Sequence, residues 1–376
     1  MSVIHRAAVV AVAAGLTAAA GLAMAPAAGA TAHSQPSFLG HFHKLRTIGS
    51  TVPRNGDINP YGTVRIRHSR GRLRRGDVLI SNFNNKANLQ GTGTTIVQVS
   101  PHGHRTRFAH VTAASLGANS CPGGIGLTTA LAVVHGWVVV GSLPTSNGMS
   151  PTAKAGCLIV LDSHGKVRET FSGHGINGPW DMTSASFGPV SQLFVTNVLN
   201  GTVAGKGAKV HRGTVLRLTI GFRGHQPPSL RGVTTVGSGF AEQTNAAAFV
   251  LGPTGVGVGP YGTLCIADTA TNAIRAIPAA LARHSSAGTG ALVTSGGALS
   301  APLGLAIAPG GDVLTVNGGN GKIVETTPAG VQVATRYLDR SGSPQGDGAL
   351  FGLAVAPRGR GIYYVDDAVN TLRLLS

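Results

Sequence analysis

Residues 302–317, PLGLAIAPGGDVLTVN, contain the pattern that decides the fold of this chain. A Pro-x-Gly turn leads into a short apolar strand, and a Gly-containing connection leads to a second apolar strand that ends in Asn. Two more clear copies are residues 253–268 (PTGVGVGPYGTLCIAD) and 350–366 (LFGLAVAPRGRGIYYVD). Three looser copies begin at Pro60, Pro122 and Pro179. Six units that start roughly every 50 to 75 residues predict stacked or radially arranged β units.

The repeat predicts one ring-shaped domain, because a single unit of this kind cannot bury its own apolar face. Each unit divides into four strands. In the fifth unit they are predicted at residues 303–308, 313–316, 322–327 and 332–337. Charged residues make up only 11% of the chain and there are 56 glycines, which favours short strands joined by tight turns and argues against a helical bundle.

The N-terminal part of the ring is predicted to complete its last unit. That unit stops after three strands, at Ser376, whereas residues 44–50 (KLRTIGS) resemble residues 232–238 (GVTTVGS), a predicted fourth strand. Pairing of the two ends would remove the exposed edges of an open array. The domain is therefore predicted over residues 44–376, with a flexible arm over residues 31–43. The alternative is that residues 34–50 form a disordered arm.

Residues 1–30 have the pattern of an export signal. His5 and Arg6 form a short positive region, residues 7–23 are small and apolar, and residues 28–30 (AGA) offer a cleavage site. No later stretch has the roughly 18 uninterrupted apolar residues of a membrane span. The mature protein is therefore expected to be secreted, without a transmembrane segment.

The formal net charge of +17 is concentrated most sharply in one arginine cluster. Its members are Arg65, Arg67, Arg70, Arg72, Arg74 and Arg75. One hypothesis is a patch for an anionic surface or partner; the other is a solvated hairpin tip. No aromatic residue interleaves these arginines, so a nucleic-acid partner is not expected.

The three cysteines allow at most one internal disulfide. Cys121 precedes the first strand of the second unit and Cys157 opens its third strand. Because both lie in one unit, a Cys121–Cys157 bond is the expected pairing.

Taken together, the repeats resemble the NHL-repeat type of six-bladed β-propeller. The best matches are residues 255–258 (GVGV), 304–311 (GLAIAPGG) and 352–357 (GLAVAP), with Asp-x-x-x-Asn pairs at 268/272 and 366/370. Residues 56–62 (GDINPYG) and 81–85 (SNFNN) also resemble a group of exported bacterial propellers without an assigned activity. The resemblance implies an all-β, six-bladed propeller of four-stranded antiparallel blades. It implies no single function, because propellers host binding modules, lactonases, lyases and hydrolases.

In such a blade, the connections that precede the first strand and follow the second emerge on one face. The candidate ligand-binding residues of that face are Asp57, Asn59, Tyr61, Asn82, Asn84, Trp180, Asp181 and Asn197. Trp180 and Tyr61 could stack on a flat ligand such as a sugar. The alternative is that the Asn and Asp side chains satisfy turn backbone groups and that Trp180 packs between blades.

A metal site has little support in the sequence. The propeller lactonases that the chain distantly resembles hold a divalent ion with Glu, Asn and Asp, and no glutamate lies convincingly at the matching position. Asp57, Asn197 and Asp268 are an alternative set. No cofactor is otherwise predicted, and no catalytic residue is identified.

The function predicted from these observations is an exported binding or scaffolding module. Its partner would be a carbohydrate, a cell-envelope polymer or a protein that contacts one face of the ring. The alternative is a metal-assisted lactonase, hydrolase or lyase with its site at the channel mouth. Sparse carboxylates and the lack of catalytic motifs favour the module over the enzyme.

Overall fold

The computed structural model describes residues 36–376, except for the side chains of Thr128 and Thr129. The predicted signal peptide and residues 31–35 lie outside the described residues. The described chain is an all-β, six-bladed propeller, as predicted, in which each blade is an antiparallel sheet. None of its helices is long and apolar enough to cross a bilayer.

The strands are numbered in chain order. Blade one contains β2 (Ile58–Arg65), β3 (Val78–Asn84), β4 (Thr95–Val99) and β5 (Arg105–His110). Blade two contains β6 (Leu127–Val134), β7 (Trp137–Ser142), β8 (Cys157–Leu161) and β9 (Val167–Phe171). Blade three contains β10 (Pro179–Phe187), β11 (Val190–Asn197), β12 (Val210–Gly221), β13 (Ser229–Asn245) and β14 (Phe249–Leu251).

Blade four contains β15 (Pro253–Val258), β16 (Leu264–Asp268), β17 (Ala273–Ile277) and β18 (Ala291–Ser295). Blade five contains β19 (Pro302–Ile307), β20 (Val313–Asn317), β21 (Lys322–Thr326) and β22 (Gln332–Tyr337). Blade six contains β23 (Leu350–Val355), β24 (Ile362–Asp366), β25 (Thr371–Leu375) and β1 (Leu45–Ser50). Short 3-10 helices cover Leu39–His41, Ala113–Leu116, Ser150–Thr152, Pro260–Gly262, Thr269–Thr271 and Pro357–Gly359.

The N-terminal strand closes the ring. β1 pairs antiparallel with β25, with Leu45 opposite Leu375 and Ser50 opposite Thr371. The preceding residues depart from the predicted flexible arm. The backbone N–H groups of Phe38 and Leu39 donate to the buried Glu325 carboxylate of blade five (2.7 and 2.8 Å), and Leu39 is buried. Two charge-assisted hydrogen bonds and an apolar anchor therefore hold residues 37–43 against the ring.

The core lies between neighbouring blades. Every residue of β3, β7, β16, β20 and β24 is buried, since each second strand is covered on both faces. Between blades six and one, for example, Tyr363 and Val365 pack with Val78 and Ile80. A disulfide joins Cys121, ahead of β6, to Cys157 at the start of β8, with Cα atoms 5.4 Å apart.

In five blades the Pro-x-Gly segments are not turns, as predicted, but lie in the innermost strands, whereas residues 122–124 of blade two form a turn ahead of β6. In blade five the pairing of β19 with β20 shifts register between Pro302 and Leu305, which is a β-bulge. The glycine is needed because the blades approach closely there. A Cβ atom on Gly304 would lie 2.0 Å from the carbonyl oxygen of Phe351 in blade six. A Cβ atom on Gly255 would likewise lie 2.2 Å from the carbonyl oxygen of Leu303, and one on Gly352 would lie 2.1 Å from that of Tyr61.

We expect Gly304→Ala to lower the free energy of unfolding by about 2–3 kcal/mol, because the added methyl group must push two blades apart. Gly310→Ala is the matched control, since a Cβ atom on Gly310 has no neighbour within 4 Å. Chemical denaturation of both variants measures the difference. Equal stability of the two variants would show that close packing between blades does not require the repeated glycine.

Candidate active site

The six innermost strands surround a central channel with a cavity of about 1050 Å³. Its wall contains small and apolar residues of β6, β15, β19 and β23, with polar groups at particular places. Thr63, Thr183, Ser184 and Ser186 line it, and so do Tyr61, Trp180 and Asp181. The cavity is large enough for a small organic molecule.

One end of the channel is closed by aromatic side chains, here called the aromatic plug: Tyr61, Phe83, Trp180, Phe249 and Phe351. The Tyr61 ring centroid lies 5.5 Å from that of Trp180 and 4.2 Å from that of Phe351. These three residues belong to the innermost strands of blades one, three and six. Because blades one and three are not neighbours, the contact between Tyr61 and Trp180 crosses the channel and closes it.

The connections between the second and third strands of blades two and three pack against the plug through Leu143, Ala153, Val198 and Leu199. The hairpin of β13 and β14 supplies Phe249 and contacts the corresponding connections of blades one and two. Gln90 Nε2 donates to the carbonyl oxygen of Ala247 (3.3 Å), and the Ser150 hydroxyl donates to that of Asn245 (3.4 Å). Tyr61 and Trp180 are consequently only 5% and 3% exposed.

The structure brings three of the eight predicted ligand-binding residues to the cavity wall: Tyr61, Trp180 and Asp181. The other five, Asp57, Asn59, Asn82, Asn84 and Asn197, do not line it. Asn82 Nδ2, for example, donates to the Thr51 carbonyl oxygen (3.2 Å) and the Thr95 hydroxyl (3.2 Å). These contacts are of the kind expected if the Asn and Asp side chains satisfy polar groups of the protein itself. A ligand-binding role for the five residues stays a prediction.

The residues of the alternative metal set, Asp57, Asn197 and Asp268, lie away from the channel, and both aspartates accept hydrogen bonds from other side chains. Asp57 Oδ2 accepts hydrogen bonds from Thr94 N and from the Thr94 and Thr95 hydroxyls, each 2.9 Å long. Asp268 Oδ2 accepts from Arg275 Nε (2.8 Å). Neither these two aspartates nor Asn197 lines the cavity. Among the described residues, no three His, Cys, Asp or Glu side chains are grouped so as to hold a metal ion.

Asp181 is the one carboxylate among the described residues of the cavity wall. It is the third residue of β10 and lies next to the plug. Its Oδ1 accepts from the backbone N–H of Met182 (2.7 Å), and its Oδ2 accepts from that of Val256 in blade four (3.1 Å). These bonds fix the carboxyl group in place.

Burial raises the pKa of Asp181 to about 7, even though the hydrogen bonds from Met182 and Val256 lower it. The carboxyl group is partly exposed, but to a protein-enclosed channel, so its charged form is poorly solvated. Burial also raises the pKa of Glu242 and of Asp367 to about 7, with the charge of Asp366 adding to the effect on Asp367. Neither of these residues lines the cavity. Asp181 is therefore a carboxyl group of the channel wall that can exchange a proton near neutral pH.

The opposite end of the channel is open and positively charged. Its residues, here called the basic rim, are Arg65, Arg67, His68, Arg70, His135 and Arg358. They lie at or after the ends of β2, β6 and β23. Arg65 is four residues beyond Tyr61, roughly 13 Å along a strand that rises about 3.3 Å per residue.

The predicted arginine cluster is thus divided. Arg65, Arg67 and Arg70 belong to the rim, whereas Arg72 donates to the carbonyl oxygens of Phe108 and His164. Arg74 and Arg75 are exposed and do not line the cavity. His68, His135 and Arg358 were not among the residues predicted from the sequence. The signal for them is their position after the first strand of a repeat, on the face opposite the Pro-x-Gly segments.

No family model matches the sequence, and no curated protein matches it. The fold is similar to that of a gluconolactonase from Xanthomonas campestris, with 14% identity and a TM-score of 0.53 over 88% of each chain. A luciferin-regenerating enzyme gives 11% identity and a TM-score of 0.56 over 89% of this chain and 95% of that one. Regucalcin, a calcium-binding protein from Agrobacterium tumefaciens, gives 13% identity and a TM-score of 0.54 over 88% of this chain and 94% of that one. At these identities the likeness shows the fold alone.

The comparisons correct the prediction of a binding or scaffolding module. Several solved structures that share this fold are enzymes by name, including gluconolactonases. Sparse carboxylates do not exclude an enzyme, because one suitably placed carboxyl group in a channel is enough for acid–base chemistry.

Proposed function

We propose that this protein is a hydrolase of cyclic esters, with Asp181 as its proton-transferring group in the central channel. The observation that carries the proposal is the position of Asp181. It lies beside the closed end of the cavity, and both of its oxygens are fixed by backbone N–H groups. The similarity to gluconolactonases in fold supports this class of reaction.

The proposed reaction uses water as the nucleophile. The Asp181 carboxylate accepts a proton from a water molecule as the water oxygen bonds to the ester carbonyl carbon. The tetrahedral intermediate then collapses, the bond from the carbonyl carbon to the ring oxygen breaks, and the ring oxygen takes the proton from Asp181. One lactone and one water give one hydroxy acid, which ionises and releases a proton.

The residues of the channel do not fit a divalent cation, so we assign no step to one. Calcium prefers six to eight oxygen ligands, commonly with several carboxylates. The described wall offers one carboxylate, and both of its oxygens already accept backbone hydrogen bonds. The proposal therefore departs from the metal-assisted form of the alternative.

We also propose that the protein is exported and that its propeller is of the NHL-repeat type. Export rests on the pattern of residues 1–30. The resemblance rests on residues 255–258, 304–311 and 352–357 with the Asp-x-x-x-Asn pairs at 268/272 and 366/370. The contacts of Gly255, Gly304 and Gly352 give a common structural reason for the glycine that opens each stretch.

Proton release in a weakly buffered pH-indicator assay tests the activity. Substrates are γ-butyrolactone, δ-valerolactone and glucono-δ-lactone, each supplied to protein dialysed against EDTA. We expect hydrolysis of at least one lactone well above the spontaneous rate, and retention of that activity after EDTA treatment. Folded protein that accelerates none of them would contradict the proposed function. Activity that disappears with EDTA and returns with calcium would contradict the metal-free mechanism.

A further inference from the structure

The basic rim carries positive charge that the protein does not neutralise. Among the described residues, none of its four arginines forms an ion pair with a carboxylate. The one carboxylate of the described wall, Asp181, lies towards the other end of the channel. A cleft with one sign of charge and low-dielectric walls concentrates ions of the opposite sign.

Two of the rim arginines are anchored by the protein. Arg65 Nε donates to the Val355 carbonyl oxygen of blade six (3.1 Å). Arg70 Nη1 donates to the His135 carbonyl oxygen of blade two (2.6 Å), and its Nη2 lies 3.4 Å from His225 Nδ1. These contacts hold the guanidinium groups at the junctions between blades. Burial lowers the pKa of Arg65, and the charge of Arg67 lowers it further, but an arginine stays protonated at neutral pH.

The other two, Arg67 and Arg358, are exposed and lie on opposite sides of the junction between blades one and six. Neither side chain forms a hydrogen bond or an ion pair with any residue that the structure describes. Their donors are available to a ligand, and a guanidinium group suits a carboxylate or a phosphate because it can donate two parallel hydrogen bonds.

We infer that the channel selects anionic substrates, namely cyclic esters that carry a carboxylate or phosphate group, which enter through the basic rim. The anionic group binds at Arg65, Arg67 and Arg358, and the ester ring extends towards Asp181. Because the aromatic plug closes the other end of the channel, substrate enters and product leaves through the basic rim. This inference rests on the proposed function, whose substrate class it specifies, although the anion site can be tested without any turnover.

Matched charge variants provide the test. R67Q/R358Q removes two charges from the rim, and R74Q/R75Q removes two charges from exposed positions of the same face that do not line the cavity. Isothermal titration compares glucitol 6-phosphate with glucitol, which differ only in the phosphate. We expect the wild type to bind the phosphate ester at least tenfold more tightly, R67Q/R358Q to lose at least tenfold of that affinity, and R74Q/R75Q to lose less than twofold.

Hydrolysis provides the second arm, with glucono-δ-lactone and its 6-phosphate as substrates. We expect the phosphorylated lactone to have the higher kcat/KM in the wild type, and this preference to fall in R67Q/R358Q and with added salt. Equal affinity for glucitol and its phosphate, or equal losses in both double variants, would overturn the inference. Selective anion binding without hydrolysis of any lactone would support the rim and contradict the proposed function.

Discussion

Asp181→Asn is expected to reduce kcat/KM for lactone hydrolysis by about 100- to 10,000-fold, the usual contribution of a positioned acid–base group. Asparagine keeps the size of the side chain and an acceptor for one of the two backbone N–H groups that donate to Asp181, that of Met182 or that of Val256. It cannot accept a proton from water. The variant is expected to remain folded, which circular dichroism checks alongside the rate.

The pH dependence of kcat/KM gives a second test of proton transfer by Asp181. Asp181 acts as a carboxylate, and burial raises its pKa to about 7. Wild-type kcat/KM should therefore rise about tenfold per pH unit below pH 7 and level off above it. This limb should be absent from the residual activity of Asp181→Asn.

Asp367→Asn is the matched control, because Asp367 also has a pKa raised by burial to about 7 but does not line the cavity. Its kcat/KM and pH profile are expected to match those of the wild type. A limb near pH 7 that persists in Asp181→Asn, or that disappears in Asp367→Asn, would assign the proton transfer to a different group.

Removal of the Cys121–Cys157 disulfide is expected to lower the free energy of unfolding by about 3–4 kcal/mol. The bond joins residues 36 positions apart, and the chain-entropy model gives a loss of this size for such a loop. The double variant C121A/C157A should therefore unfold at a clearly lower denaturant concentration.

C265A is the control for loss of a buried sulfur atom, since Cys265 is buried and unpaired. Its destabilisation should be about 1 kcal/mol, as for a small change of volume in a core. If both variants unfold at the same denaturant concentration, the bond either does not form or does not constrain the unfolded chain.

Local sequence patterns do not predict the aromatic plug. Tyr61 and Trp180 each looked like a residue on an open ligand mouth, because a repeat places them beside the channel axis. Whether the channel is open there depends on Phe249 and Phe351, which come from other blades. Contacts between residues far apart in the chain have no signature in the spacing within one repeat.

The sequence by itself determined the number of blades, their strand order and the closure of the ring. These follow from patterns that recur from repeat to repeat: apolar strands in a constant order, a glycine where two blades meet, and an N-terminal strand that matches the missing one. Only the tertiary structure decided which end of the channel is open and which polar groups face it. Those features arise when six separate strands converge, so that Asp181 is shielded from bulk water and arginines from blades one and six come to share one rim.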